Sequence, residues 1–154
     1  MKKTTLLFSF LTLALQFQLL AQNKQELDSL MNTWHQAAAQ ADAELFFGLM
    51  TEEGVYIGTD ATERWLRDEL KEWSKKAFER SSAWTFTAIE RNWHFLSPEV
   101  AIGDELLETW MGTCRSTMVL KKVEGQWLIF HYQLSVTVPN ERIQEFKTLM
   151  ESND

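Results

Sequence analysis

The run Gly125-Gln126-Trp127-Leu128-Ile129-Phe130-His131-Tyr132-Gln133-Leu134-Ser135-Val136-Thr137-Val138-Pro139 limits the folds open to this chain more than any other stretch. A turn signal precedes it, a proline follows it, and β-branched, aromatic and aliphatic residues dominate between them, which is the pattern of a strand. Along a strand alternate side chains face opposite ways. One face then carries Trp127, Ile129, His131, Gln133 and Ser135, apolar at first and polar at the end. The other carries Leu128, Phe130, Tyr132, Leu134 and Val136, apolar almost throughout. Both faces need cover. The sequence therefore predicts a pocket lined by the first set and opening at Ser135, and a sheet back formed by the second.

Met1-Lys2-Lys3, the apolar run from Leu6 to Leu20, and Ala21-Gln22 have the layout of a secretory signal cut after Ala21. The run is shorter than the ~20 residues that span a bilayer, and Gln16 and Gln18 interrupt it, so cleavage is expected and no stable membrane anchor remains. The expected product is a periplasmic or secreted chain of residues 22–154, long enough for one domain with its own core. The leader holds two of the 15 basic side chains and no acid, leaving 13 basic against 22 acidic groups. A nucleic-acid partner, which needs a basic stripe, is not expected. Cys114 is the one cysteine, so an internal disulfide and thiolate zinc sites are excluded. Stability must come from packing, to which seven tryptophans contribute.

Asn23 with Glu26 opens a helix whose Leu27, Leu30, Met31, Trp34, Ala38 and Ala41 recur at helical spacing. Asp42 caps a second, short helix through Leu45, Phe46, Leu49 and Met50, with Gly54 ending it. A brief strand, Val55-Tyr56-Ile57, leads through Gly58-Thr59-Asp60 into a third helix with Leu66, Leu70, Trp73 and Ala77 on its apolar stripe, ending near Arg80-Ser81-Ser82. Strands follow: Trp84 to Leu96, Glu99 to Met111, Cys114 to Val123, and Trp127 to Val138. Their short breaks predict a four-stranded antiparallel meander, with Gly103 as a candidate bulge, and Asn140 capping a closing helix with Ile143, Phe146 and Met150. Helices first and a curved antiparallel sheet after them give an α+β fold in which the helices close one side of a cone.

The strings Tyr56-Ile57-Gly58-Thr59-Asp60-Ala61-Thr62-Glu63-Arg64-Trp65, Gly103-Asp104-Glu105-Leu106-Leu107, Arg115-Ser116-Thr117-Met118-Val119-Leu120 and Gly125-Gln126-Trp127-Leu128-Ile129, with His131 and the Pro139-Asn140-Glu141 exit, resemble the SnoaL-like branch of the nuclear transport factor 2-like superfamily. The resemblance covers the whole chain after the leader. It implies a cone-shaped pocket and, as is frequent in the family, a homodimer formed through the sheet backs, on a scaffold that serves isomerases, cyclases, dehydratases and binding modules alike.

Candidate site residues follow from the pocket. Asp60 and Glu63 stand at its expected rim, though three residues apart they also make a helix cap. Asp104 and Glu105 are neighbours in a strand, so one of the two at most enters the cone; Asp104 is taken as a candidate general base, with cross-strand pairing to Arg91 or Arg115 as the competing use. His131, above Trp127 and below Gln133 on the pocket face, is the second candidate base. His94 shares a face with Trp84, Phe86, Ala88, Glu90 and Asn92 and is expected nearby, while His35, beside Trp34, is expected to be exposed. Arg115 could present a guanidinium to a carboxylate ligand, and Tyr56, Trp65 and Gln133 complete the expected lining. Three scattered histidines lack metal-ligand spacing, and no cofactor is expected. The residues thus support a small-molecule binder, with an isomerase or cyclase using Asp104 or His131, or an interaction module acting through the sheet face, as alternatives. Tyr132 faces away from the cone if His131 faces into it, which removes the usual tyrosine of an isomerase oxyanion hole and favours the binder.

Overall fold

The computed structural model describes residues 23–151. The expected leader lies outside the described residues. Helix α1, residues 23–39, buries Leu27, Met31, Trp34, Ala37 and Ala38, the face that its three- and four-residue spacing marks. It stops at Ala41, which takes φ 54, and Asp42 then caps α2 (Ala43–Gly48) by accepting the Leu45 N–H at 3.0 Å. Strand β1 (Met50–Ile57), β2 (Arg64–Leu66), α3 (Arg67–Trp73) and α4 (Lys75–Phe78) follow, then β3 (Thr87–Ser97), β4 (Val100–Thr109), β5 (Gly112–Val123) and β6 (Gln126–Val136). A 3₁₀ turn at Asn140–Arg142 leads into α5 (Ile143–Glu151), whose Ile143, Phe146 and Met150 stay exposed.

The strands form one open six-stranded sheet in the order β2-β1-β6-β5-β4-β3. The last four strands make the antiparallel meander that the short breaks predict, and β1 joins β6 in parallel, so the sheet is mixed. The α1–α3 segment covers one face, and the core lies between: Trp34 stacks on Phe46 with ring centroids 4.5 Å apart and meets Tyr132 edge-on at 4.6 Å, above Met118, Leu120 and Ile129.

Two expected boundaries move. Residues from Met50 onward are already strand, and Gly54 sits inside β1 where its register with β6 shifts between Met50 and Val55; the short helix has ended at Gly48. Asp60 caps no helix, because β2 comes first and α3 starts at Arg67, where the Glu69 carboxylate accepts the Leu66 N–H at 2.8 Å.

Two β-bulges decide which side chains face inward. In β6 the partner of Val119 is His131 and the partner of Leu120 is Ile129, so Phe130 is an extra residue and the alternation changes sides there. Trp127 and Ile129 face the core before the bulge, and Tyr132 and Leu134 after it. In β3, Ala88 pairs with Leu107 and Glu90 with Leu106, making Ile89 the extra residue and turning Arg91, Trp93 and Phe95 inward. Gly103 is not a bulge. It is the place where the Trp93 ring crosses β4: a Cβ there would overlap that ring and stand 2.6 Å from the Met118 sulfur. Gly103→Ala is expected to displace Trp93 from its 2.8 Å hydrogen bond to Asp28 and to cost about 1–3 kcal/mol, as overpacked core positions do. A lower urea midpoint with an unchanged slope checks it.

Candidate functional site

The chain builds an aromatic cavity where β1, β2, the end of α3 and the β4–β5 hairpin meet. Tyr56 of β1 lies opposite Trp65 of β2 in the strand register, with ring centroids 6.3 Å apart, and Trp65 meets Trp73 of α3 at 4.5 Å. Trp84 and Phe86, on the segment entering β3, form the facing wall, Trp110 and Met111 of the hairpin form the rim, and Leu134 of β6 joins Tyr56 in the floor. The cavity holds about 180 Å³. That is below the roughly 300 Å³ at which drug-sized pockets begin, so the space suits a small molecule or one end of a larger one.

One edge of this space is polar. The loop between β1 and β2 is a tight turn in which Gly58 N–H donates to Glu63 O at 2.9 Å and Glu63 N–H to Asp60 O at 3.0 Å. The Asp60 carboxylate is spent on the turn, accepting Thr62 N–H at 2.8 Å and Thr62 Oγ1 at 2.6 Å, and these bonds hold it below the usual carboxylate range. The Glu63 side chain folds back over Gly58, where any Cβ would collide with it, and its Oε2 accepts the Asp60 N–H at 3.2 Å. Glu63 is therefore the carboxylate that lines the cavity, along with the Thr59 segment; no lysine or arginine does. Burial raises the Tyr56 phenol far above its ordinary ionisation range, and the Glu63 and Cys114 charges add to this, so it remains a neutral hydrogen-bonding hydroxyl.

Behind the floor lies a buried polar chain. Tyr132 stacks under Tyr56 with centroids 5.4 Å apart, and its hydroxyl is buried without a hydrogen-bond partner among the described residues. Ser116 Oγ donates to Glu105 Oε2 at 3.1 Å, and Arg91 Nε donates to Glu105 Oε1 at 2.5 Å. His35 Nε2 stands 3.3 Å from Glu105 Oε2, within ion-pair reach but out of hydrogen-bond alignment, and its ring packs on Phe86 of the cavity wall at 5.5 Å. Arg91 continues to α1 through Asp28 O at 3.1 Å and Asn32 Oδ1 at 3.0 Å. Burial pushes the Glu105 carboxyl up, but His35 and Arg91 together outweigh it and hold the group ionised below its ordinary value. This chain ties α1 to the sheet rather than opening to solvent, since Glu105 is fully buried.

The candidate residues separate accordingly. Tyr56 and Trp65 line the cavity, and Asp60 shapes the loop at its edge. The inward carboxylate of β4 is Glu105, not Asp104; Asp104 is on the other face of the sheet, 3.3 Å from Arg115, and both are substantially exposed. Arg115 thus points away from the cavity. His131 and Gln133 also face away, because the Phe130 bulge gives their inward places to Tyr132 and Leu134; partial burial, then the Arg64 charge, lower the His131 pKa. His94 lies outward opposite Ile102, turned by the Ile89 bulge. His35 is buried, against expectation, and falls four residues after Met31 on the core face of α1. Trp84 and Phe86, from the face expected to look inward, and Trp73 and Trp110, not among the expected site residues, supply most of the walls. Among the described residues, no three His, Cys, Asp or Glu side chains converge as metal ligands.

Residues 27–139 match the family model of the SnoaL-like domain. The chain belongs to the SnoaL-like domain family. A comparison with curated proteins returns no match. Among solved structures, this SnoaL-like domain is similar to an NTF2-like protein of unknown function from Pseudomonas putida KT2440, with 15% identity, a TM-score of 0.65, and 79% of this chain and 91% of that one covered. It is also similar to a Nostoc punctiforme protein with a cystatin-like fold, at 13% identity and TM-score 0.62, covering 76% and 92% of the two chains. The association domain of C. elegans CaMKII aligns at 17% identity and TM-score 0.63, over 75% and 97%. At these identities the SnoaL-like domain shares the fold of these proteins.

Proposed function

We propose that this SnoaL-like domain is an exported small-molecule-binding protein whose ligand occupies the cavity between Tyr56, Trp65 and Trp84. The observation that carries the reading is the lining: aromatic walls around about 180 Å³ with a neutral phenol and one carboxylate at the edge, the composition of a site that encloses an apolar body and orients it by few polar groups. Asp104 and His131, the two candidate bases read from the sequence, stand on the other face of the sheet, which favours binding over turnover; Tyr132, expected to face away from the cone, faces inward instead, so the lack of an inward tyrosine no longer supports that reading. Export rests on the leader layout of residues 1–21. Assembly as a homodimer rests on the outer sheet face, where Ile102, Leu106, Val119 and Leu128 are only half-buried between polar neighbours.

Indole and 2-naphthol are suitable probes for residues 22–154 in titration calorimetry. Trp65→Ala is expected to weaken their binding about tenfold, or ~1.4 kcal/mol, in line with losing one aromatic wall, while the melting temperature changes little. Binding that is indifferent to Trp65→Ala and Tyr56→Phe contradicts the reading. Val119→Asp is expected to convert the dimer to monomer in sedimentation velocity without affecting probe binding.

A further inference from the structure

We propose that the cavity takes an organic cation, a quaternary ammonium or protonated tertiary amine, a ligand class that rests on the cavity being the binding site. The faces of indole and phenol rings carry negative quadrupole density, and a desolvated cation against several such rings is stabilised by each of them. Tyr56, Trp65, Trp73 and Trp84 surround one small space, and the wall adds no positive charge. Glu63 completes the site. Its Oε2 is held by the Asp60 N–H, and Oε1 makes no hydrogen bond among the described residues, so a carboxylate fixed in place retains acceptor capacity at the cavity edge. The buried Tyr56 phenol is uncharged at neutral pH and adds no second negative charge beside that carboxylate.

Neighbouring cations do not oppose the assignment. Arg80 borders two neighbouring depressions that share Trp84 with the cavity but does not line the cavity itself, and its Nε and Nη2 are turned to the Ala77 and Ala83 carbonyls, each at 3.3 Å. Lys76 borders only the outer depression. In residues 22–154 the excess of 22 acidic over 13 basic side chains favours the approach of cations from solution. A neutral aromatic ligand would use the same walls but would leave the Glu63 carboxylate partly desolvated without a counter-charge.

The decisive comparison is choline against 3,3-dimethylbutan-1-ol, which has the same shape with carbon in place of the charged nitrogen, titrated by calorimetry into residues 22–154 at low ionic strength. Choline is expected to bind at least tenfold more tightly, and Glu63→Gln is expected to cut that preference to a few-fold at unchanged melting temperature, the rings supplying the remainder. Equal binding of the two compounds overturns the cationic class and leaves the cavity reading standing. Failure of choline where indole binds does the same. If choline, its isostere and indole all fail to bind, both the ligand class and the cavity reading are overturned.

Discussion

Glu105→Gln is expected to cost about 3–5 kcal/mol of folding stability, the range for removing one partner of a buried ion pair. Its carboxylate is fully buried and accepts from Arg91 at 2.5 Å and Ser116 at 3.1 Å, with His35 3.3 Å away. The neutral amide removes the negative charge facing the Arg91 guanidinium, whose side chain is only 8% exposed. Asp28 then becomes its main counter-charge, at 3.4 Å and itself partly open to solvent. Arg91→Met with Glu105→Leu should lose less than the sum of the two single changes, because no lone charge remains buried. The same group gives a pH signature. Its folded-state pKa is depressed, so its contribution is present above the unfolded carboxylate value of about 4.3 and is lost as pH falls through the lower folded-state value. Denaturant unfolding between pH 6 and 3 should show wild-type stability falling more steeply than that of Glu105→Gln. Parallel curves would show that Glu105 does not titrate as this environment requires.

Trp34→Ala is expected to remove a further large part of the fold, about 3–5 kcal/mol against a total typically of 5–15. The indole is fully buried at the centre of the aromatic core, stacked on Phe46 and edge-on to Tyr132, and its Nε1 donates to Phe46 O at 3.1 Å. Truncation leaves a cavity that rigid rings fill poorly and an unpaired carbonyl at the end of α2. Trp34→Phe retains most of the packing and should recover more than half of the loss, the hydrogen bond accounting for the rest. Calorimetric melting of the two variants checks this; similar loss in both would assign the stabilisation to the hydrogen bond instead.

The fold was legible because it is written in long, regular signals. Leu27, Met31, Trp34 and Ala38 mark the buried helix face by spacing alone, and the turn residues at Ser97-Pro98-Glu99 and Glu124-Gly125 bound the meander strands to within a few residues. The site was legible only in part, because a pocket depends on strand phase. Period-two alternation from Trp127 places His131 and Gln133 inside, and a single extra residue at Phe130 places Tyr132 and Leu134 there instead. The Ile89 bulge does the same to His94 and Arg91. No residue type announces a bulge at either place. The Arg91–Glu105 and Arg115–Asp104 pairs, one on each face, do follow from cross-strand complementarity once β4 is assigned a phase. His35 had a signal in its four-residue offset from Met31, outweighed by its polarity until Glu105 is known to face it. The cavity walls come from Trp73, Trp84 and Trp110 on three separate segments, whose meeting is a property of the tertiary fold.

The seven tryptophans turn the central claim into one measurement. Trp65, Trp73, Trp84 and Trp110 line the cavity, whereas Trp34, Trp93 and Trp127 belong to the core, the Asp28 contact and the far end of the sheet. In proton–nitrogen correlation spectra of residues 22–154, the indole N–H signals can be followed through a titration with choline and with indole. Saturable shifts confined to the four cavity tryptophans, with those of Trp34 and Trp127 unmoved, are the predicted result. Shifts concentrated at Trp93 or Trp127, or seven unmoved signals at millimolar probe, would contradict the assignment of this cavity as the binding site.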